Sequence, residues 1–183
     1  MSASLDEALD GLLGQLAAAG AVSPDVLAPA APEQIAALDA LDGVTLPDVF
    51  RAFLERVGSY DDGRCHALKA HEPDFANGMF VLRARWIPKN YETSLHIGDP
   101  EYWPPAYIPF LWGGSGDFTV INCDAASPAY GAVYDLDEGL GVRNGPMDSD
   151  LVAFLERSAR ELAECRRFFE TPTFSMLAIH RRR

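Results

Sequence analysis

The chain has 183 residues, 48% hydrophobic and 23% charged, which is ordinary for a soluble protein and enough for one buried core. Acids outnumber bases 27 to 15, a net charge of −12, so neither nucleic acid nor an anionic membrane is an expected partner, since both would be repelled. Any charged partner is expected to be basic.

The N-terminus predicts short helices. Ser4-Leu5-Asp6-Glu7 has the form of a capping box, and Leu5, Leu9, Leu12, Leu13 and Leu16 follow at helical spacing until Gly20. The apolar stretch 8–31 is broken by Asp10, Gly11, Gln15, Gly20, Pro24 and Asp25, which excludes a membrane span. Asp6 and Glu7 stand where a secretory signal would carry positive charge. Cys65, Cys123 and Cys165 are odd in number and widely spaced, unlike a disulfide framework, so a reduced, cytoplasmic protein is expected. Ser23-Pro24 predicts a short turn, the Ala/Pro run 28–32 a linker, and Ile35, Leu38 and Leu41 a second helix stopped by Gly43.

Thr45-Leu46-Pro47-Asp48 predicts a capped helix start, with Thr45 as the cap and an acid in the first turn. Leu46, Phe50, Phe53, Leu54 and Val57 then share one face, ending at Gly58. Segment 59–106, with five prolines (Pro73, Pro88, Pro100, Pro104, Pro105), reads as mostly loop around a strand at 79–82. Three strands are predicted next, Ala106–Trp112, Phe118–Cys123 and Ala132–Leu136, and their short connections favour antiparallel neighbours. Ser149-Asp150 opens a long helix whose buried face is expected to carry Leu151, Phe154, Leu155, Leu162, Cys165 and Phe169. Helices, then a strand meander, then a helix make an α+β fold: a central antiparallel sheet packed by N-terminal and C-terminal helices. The expected organisation is a helical extension over 1–37, the α+β domain over 38–170 and a tail over 171–183.

Charge is unevenly placed. Residues 99–150 carry nine acids (Asp99, Glu101, Asp117, Asp124, Asp135, Asp137, Glu138, Asp148, Asp150) against Arg143 alone, while 151–183 hold four acids and seven arginines. The acidic stretch coincides with the predicted strands and their loops.

Four segments together resemble one known family. Leu46-Pro47-Asp48-Val49-Phe50-Arg51-Ala52-Phe53-Leu54 with Gly58 looks like the opening helix of the SMI1/KNR4 (SUKH) superfamily. Ile108-Pro109-Phe110, the glycine loop 113–116, Asp117 and the strand 118–121 are similar to its central hairpin. Gly131-Ala132-Val133-Tyr134-Asp135 resembles the next strand, and Asp150-Leu151-Val152-Ala153-Phe154-Leu155 the closing helix. The residues before Leu38 look like an added helix, and a histidine frequent after the Tyr-Asp strand is here Leu136. The resemblance implies a protein-binding immunity protein of bacterial type, which would neutralise a cognate toxin by occluding its active site. The acidic charge suits a basic, nucleic-acid-directed toxin. The alternative it implies is a non-catalytic regulatory scaffold related to cell-wall processes or signalling.

No motif predicts catalysis. Cys65-His66 and His71-Glu72 cluster without a closed zinc spacing, so no metal or cofactor is expected. Gly113-Gly114-Ser115-Gly116 is followed by Asp117 and a strand, not by a lysine and a helix, and reads as a tight turn, not a phosphate cradle. Cys123 and Cys165 fall on apolar periodic positions, where a buried free thiol is the ordinary outcome. The aromatic group Trp86, Tyr91, Tyr102, Trp103, Tyr107 and Trp112 reads mainly as packing, with Tyr102 and Trp103 expected to be its exposed members. The expected partner-binding residues are therefore Asp117, Asp124, Asp135, Asp137 and Glu138, with Tyr102 and Trp103 as anchors.

Overall fold

The computed structural model describes residues 3–21, 23–67, 74–76, 79–97, 103–113, 116–137, 141–142 and 145–170. The capping box closes reciprocally, the Glu7 amide donating to Ser4 Oγ at 3.3 Å and the Ser4 amide to Glu7 Oε2 at 2.8 Å. It opens α1 (Leu5–Ala18), which buries Ala8, Leu9, Leu12 and Leu16. Short α2 (Ser23–Val26) leads into β1 (Leu27–Ala28), and α3 (Pro32–Asp39) starts on a proline, tolerated where the N–H has no helical partner anyway. α4 (Asp48–Val57) buries Phe50, Phe53, Leu54 and Val57 on one face, as its spacing dictates.

Thr45 does not cap α4. The N-cap is Pro47, without a side-chain cap, and the Thr45 amide donates instead to the Cys123 carbonyl at 2.9 Å. The fixed φ of Pro47 sets the helix entry, so Thr45 ties the preceding chain to the sheet.

The segment expected to be mostly loop holds β2 (Ser59–Tyr60), α5 (Asp62–Ala67), β3 (Asp74–Ala76), β4 (Met79–Val81), a 3-10 turn (Ala84–Trp86) and α6 (Ile87–Ile97). Pro88 is the second residue of α6, where a proline preorganises the first turn and does not break it. The strands β5 (Tyr107–Trp112), β6 (Asp117–Asn122) and β7 (Val133–Asp137) lie within a residue of the predicted ones at each end. With β3, β4 and β8 (Gly141–Val142) they form a six-stranded antiparallel sheet in the order β3-β4-β5-β6-β7-β8, while β1 and β2 pair separately. The fold is α+β, as expected.

β5 carries a bulge between Pro109 and Leu111, and Phe110 within it is fully buried. Its ring centroid lies 5.6 Å from Phe50, 5.7 Å from Phe53 and 5.8 Å from Phe154, each in edge-to-face geometry. Phe154 belongs to α7 (Leu151–Glu170), which opens on Asp150, whose Oδ1 accepts the Ala153 amide at 2.9 Å. Leu151, Phe154, Leu155 and Ser158 are buried, but Cys165 is exposed, against expectation. The cause is length: at 20 residues, against 14 for the α1 helix it packs on, α7 extends about 9 Å further. The side chain of Phe169 lies outside the described residues. Arg56 of α4 ties α1 down through Asp6 and Asp10, one turn apart, at 2.6 and 2.9 Å.

Three glycines separate freedom from constraint. A Cβ at Gly11 or Gly14 of α1 would meet nothing within 4 Å, so each Gly→Ala change should stabilise by about 0.5–1 kcal/mol. Gly58 has an ordinary φ of −71°, yet a Cβ there would stand 2.6 Å from the Leu54 carbonyl oxygen and 2.9 Å from Ala30 Cβ. Gly58→Ala should therefore cost about 1–3 kcal/mol, because α4 must move away from Ala30. Urea unfolding of the three single variants checks both signs. A stabilised Gly58→Ala protein would contradict the close approach at Ala30.

Candidate functional site

The register of β6 against β7 determines which acids meet. Asp117 stands directly opposite Asp137, and Thr119 opposite Asp135. Because side chains alternate along a strand, Asp117, Asp135 and Asp137 share one face with Thr119, Ile121 and Val133. Along that face burial changes from complete at Ile121 and Val133 to partial at the three acids. The trio thus continues a core row to its edge. Like charges placed directly across a ladder oppose pairing, so this arrangement concentrates negative potential at a cost to the sheet.

The other expected residues are distributed differently. Asp124 lies beyond the opposite end of β6 from Asp117. It forms a turn there: its Oδ1 accepts the Ala126 amide at 2.9 Å, while its own amide donates to Asn122 Oδ1 at 2.9 Å. At about 3.3 Å per residue, the five steps of β6 from Asp117 to Asn122 alone span about 16 Å, so one basic group cannot reach both ends. Glu138 and Tyr102 lie outside the described residues.

Trp103 is a correction. It is 2% exposed, packs edge-to-face on Phe118 at 5.5 Å and donates its indole N–H to the Tyr107 carbonyl at 3.1 Å. A tryptophan whose ring and N–H are both satisfied inside cannot serve as an exposed anchor. Tyr91 is buried too, its hydroxyl accepting the Ala106 amide at 2.9 Å, and Tyr107 packs on Tyr134 at 4.9 Å. Among the described members of the aromatic group the exposed one is Trp86, at 40%, and not Trp103.

Other candidate chemistry resolves into structure. Gly116 has φ +88° and the Gly113 amide donates to the Asp117 carbonyl at 2.8 Å, so the glycine loop is the hairpin turn between β5 and β6. Cys65 and His66 fall on α5 with side chains outside the described residues, and His71 and Glu72 lie outside the described residues altogether. Among the described residues no three His, Cys, Asp or Glu side chains gather into a metal-holding group, and no helix is long and apolar enough to cross a membrane. An open groove of about 480 Å³ runs between α3 and α4, with Pro29, Pro32, Ile35 and Ala36 on its apolar side. The bidentate Arg51–Asp39 pair, at 2.6 and 2.8 Å, closes its polar side.

Burial pushes the Cys123 thiol well above its ordinary pKa of 9.0, and burial likewise raises Tyr91 and Tyr107 above 10.0. A protonated, inaccessible thiol is no nucleophile. The folded values exceed the unfolded ones, so this contribution to stability is complete below about pH 9 and is lost as pH rises further, when the unfolded chain releases protons that the native state retains. The urea midpoint should fall between about pH 8 and about pH 10, and iodoacetamide should modify Cys165 while sparing Cys123 until unfolding. Equal native labelling of the two would contradict the burial.

No curated protein matches the chain. The family model of the SMI1 / KNR4 family (SUKH-1) matches residues 29–169, which run from the approach to α3 almost to the end of α7 and include every strand of the six-stranded sheet. With that match over most of its length, and with the bulged hairpin, acidic strand pair and closing helix in order, the chain belongs to the SMI1/KNR4 family.

Proposed function

We propose that the protein is an immunity protein: it binds a cognate toxin through the acidic strand pair and neutralises it by occluding the toxin's active site. The observation that carries this reading is the gathering of Asp117, Asp135 and Asp137 on one partly exposed face in a member of this family. Two adjacent strands of a six-stranded sheet hold the three carboxylates at fixed spacing, so they meet a partner without first being ordered. Opposed to a basic, nucleic-acid-directed toxin surface, they accelerate association and reject partners of like charge. Glu138, next in sequence to Asp137, is included in the proposed surface. The role needs binding and no reaction, which fits a buried, protonated Cys123.

The test uses the partner captured by affinity pull-down from the native organism and identified by mass spectrometry. Simultaneous Asp135→Lys, Asp137→Lys and Glu138→Lys should slow association about tenfold or more at low salt, with a smaller effect at high salt and an unchanged circular dichroism spectrum. A folded triple variant that associates at the wild-type rate would remove the acidic face from the interface. Capture of a cell-wall or signalling component with no toxin would replace the immunity reading by the regulatory-scaffold one.

A further inference from the structure

On the 3-10 turn that precedes α6, the charge of the molecule reverses. Arg83 is 3% exposed, and its guanidinium stands 3.7 Å from the centroid of the Tyr60 ring and 4.7 Å from that of Trp86. Both of its terminal nitrogens donate to the Asp62 carboxylate. Its Nε is buried with no hydrogen-bond partner among the described residues. Leaving such a group unpaired costs on the order of 1–3 kcal/mol, so the guanidinium is fixed here by stacking at the expense of full solvation.

Arg85 stands 5.0 Å from the centroid of the same Trp86 ring. Among the described residues its closest carboxylate, again Asp62, is 3.7 Å away, beyond hydrogen-bonding distance. Trp86 itself is 40% exposed, and its backbone is pinned from both sides: its amide donates to the Arg83 carbonyl at 2.8 Å and its carbonyl accepts from Asn90 Nδ2 at 2.9 Å. Lys89, exposed and three residues on, lies on the same helical face as Trp86. Arg83, Arg85 and Lys89 against Asp62 leave a local charge of +2 in a chain of net −12. Asp61 and Arg64 nearby offset each other, and Glu92 is the next acid along α6.

We infer that Trp86 and Arg85 form the anchor of a second interaction surface, one that takes an acidic protein segment carrying an apolar side chain beside its carboxylate. Tryptophan and arginine are the residues most enriched where binding energy concentrates, and here the pair is ordered before any partner arrives. The fork of Arg85, which hydrogen-bonds no side chain among the described residues, takes the carboxylate, while the exposed part of the Trp86 ring takes the apolar group. Asp62 stands within ion-pair range of that fork at 3.7 Å, but its two oxygens accept hydrogen bonds from Arg83 and it makes none to Arg85. The surface is opposite in charge to the acidic strand pair, and its partner chemistry is independent of the immunity reading. A long polyanion such as nucleic acid is disfavoured because it would extend beyond this patch into the field of the other acids.

The test follows the indole N–H resonance of Trp86 in the full chain, assigned with Trp86→Phe, during titration with a synthetic peptide alternating Glu and Leu. The resonance should move saturably, and Arg85→Glu should weaken the titration about tenfold while leaving the melting temperature unchanged. A peptide alternating Lys and Leu should not move it. The inference is overturned if the resonance stays still, if both peptides move it alike, or if Arg85→Glu titrates as the wild type does. It is equally overturned if a single-stranded oligonucleotide of the same charge binds more tightly than the Glu peptide, which would make the partner a nucleic acid.

Discussion

Phe110 is the residue on which the architecture turns. A regular β5 would alternate its side chains strictly, and Pro109 followed by Phe110 and Leu111 would fall on alternating faces. The bulge breaks that alternation at Phe110, whose ring meets Phe50 and Phe53 of α4 and Phe154 of α7, distant in sequence. Phe53 in turn meets Phe75 of β3 at 5.7 Å, so the edge strand joins the same set of rings. Edge-to-face pairs contribute about 0.5–1.5 kcal/mol beyond their area, which favours one arrangement of helices on the sheet over its sliding alternatives. With that arrangement fixed, β6 and β7 have a defined end, and the acidic trio stands at it.

The charge of the chain divides by geometry into structural and exposed parts. Asp150 caps α7, Asp124 closes a turn, and Asp148 binds Arg157 through two of its nitrogens at 2.8 and 3.0 Å. Those hydrogen bonds raise the Arg157 pKa above its ordinary value, and a second bond to Glu161 at 2.8 Å adds to the effect. Arg56 and Arg51 tie α4 to α1 and α3 by exposed pairs, each contributing about 0.2–1 kcal/mol. The register places Asp117, Asp135 and Asp137 together across two strands.

Much of this was legible in the residues because the signals were local. The Ser4–Glu7 box, the Asp150 start and the spacing of Phe50, Phe53 and Leu54 each act within one helical turn, and the three central strands carried turn residues on both sides. What was missed depended on distance. Thr45 is recruited by Cys123 across the sheet, and Trp103 is buried by Phe118 and a carbonyl on β5, neither visible from flanking prolines. Cys165 keeps the apolar period of α7 but lies past the stretch that is covered. The parity of Asp135 with Asp137 could be read from β7 alone, whereas the addition of Asp117 and the separation of Asp124 required the register.

The most direct measurement is native-state hydrogen exchange on Phe110→Ala combined with urea unfolding. If the ring cluster holds the strand pair to the helices, the substitution lowers the unfolding free energy by about 3–5 kcal/mol, and amides of Val120, Tyr134 and Leu54 lose protection by the same increment. A cost below about 1 kcal/mol, or a loss confined to β5 with β6, β7 and α4 still protected, would show that the acidic face is positioned by something other than this cluster.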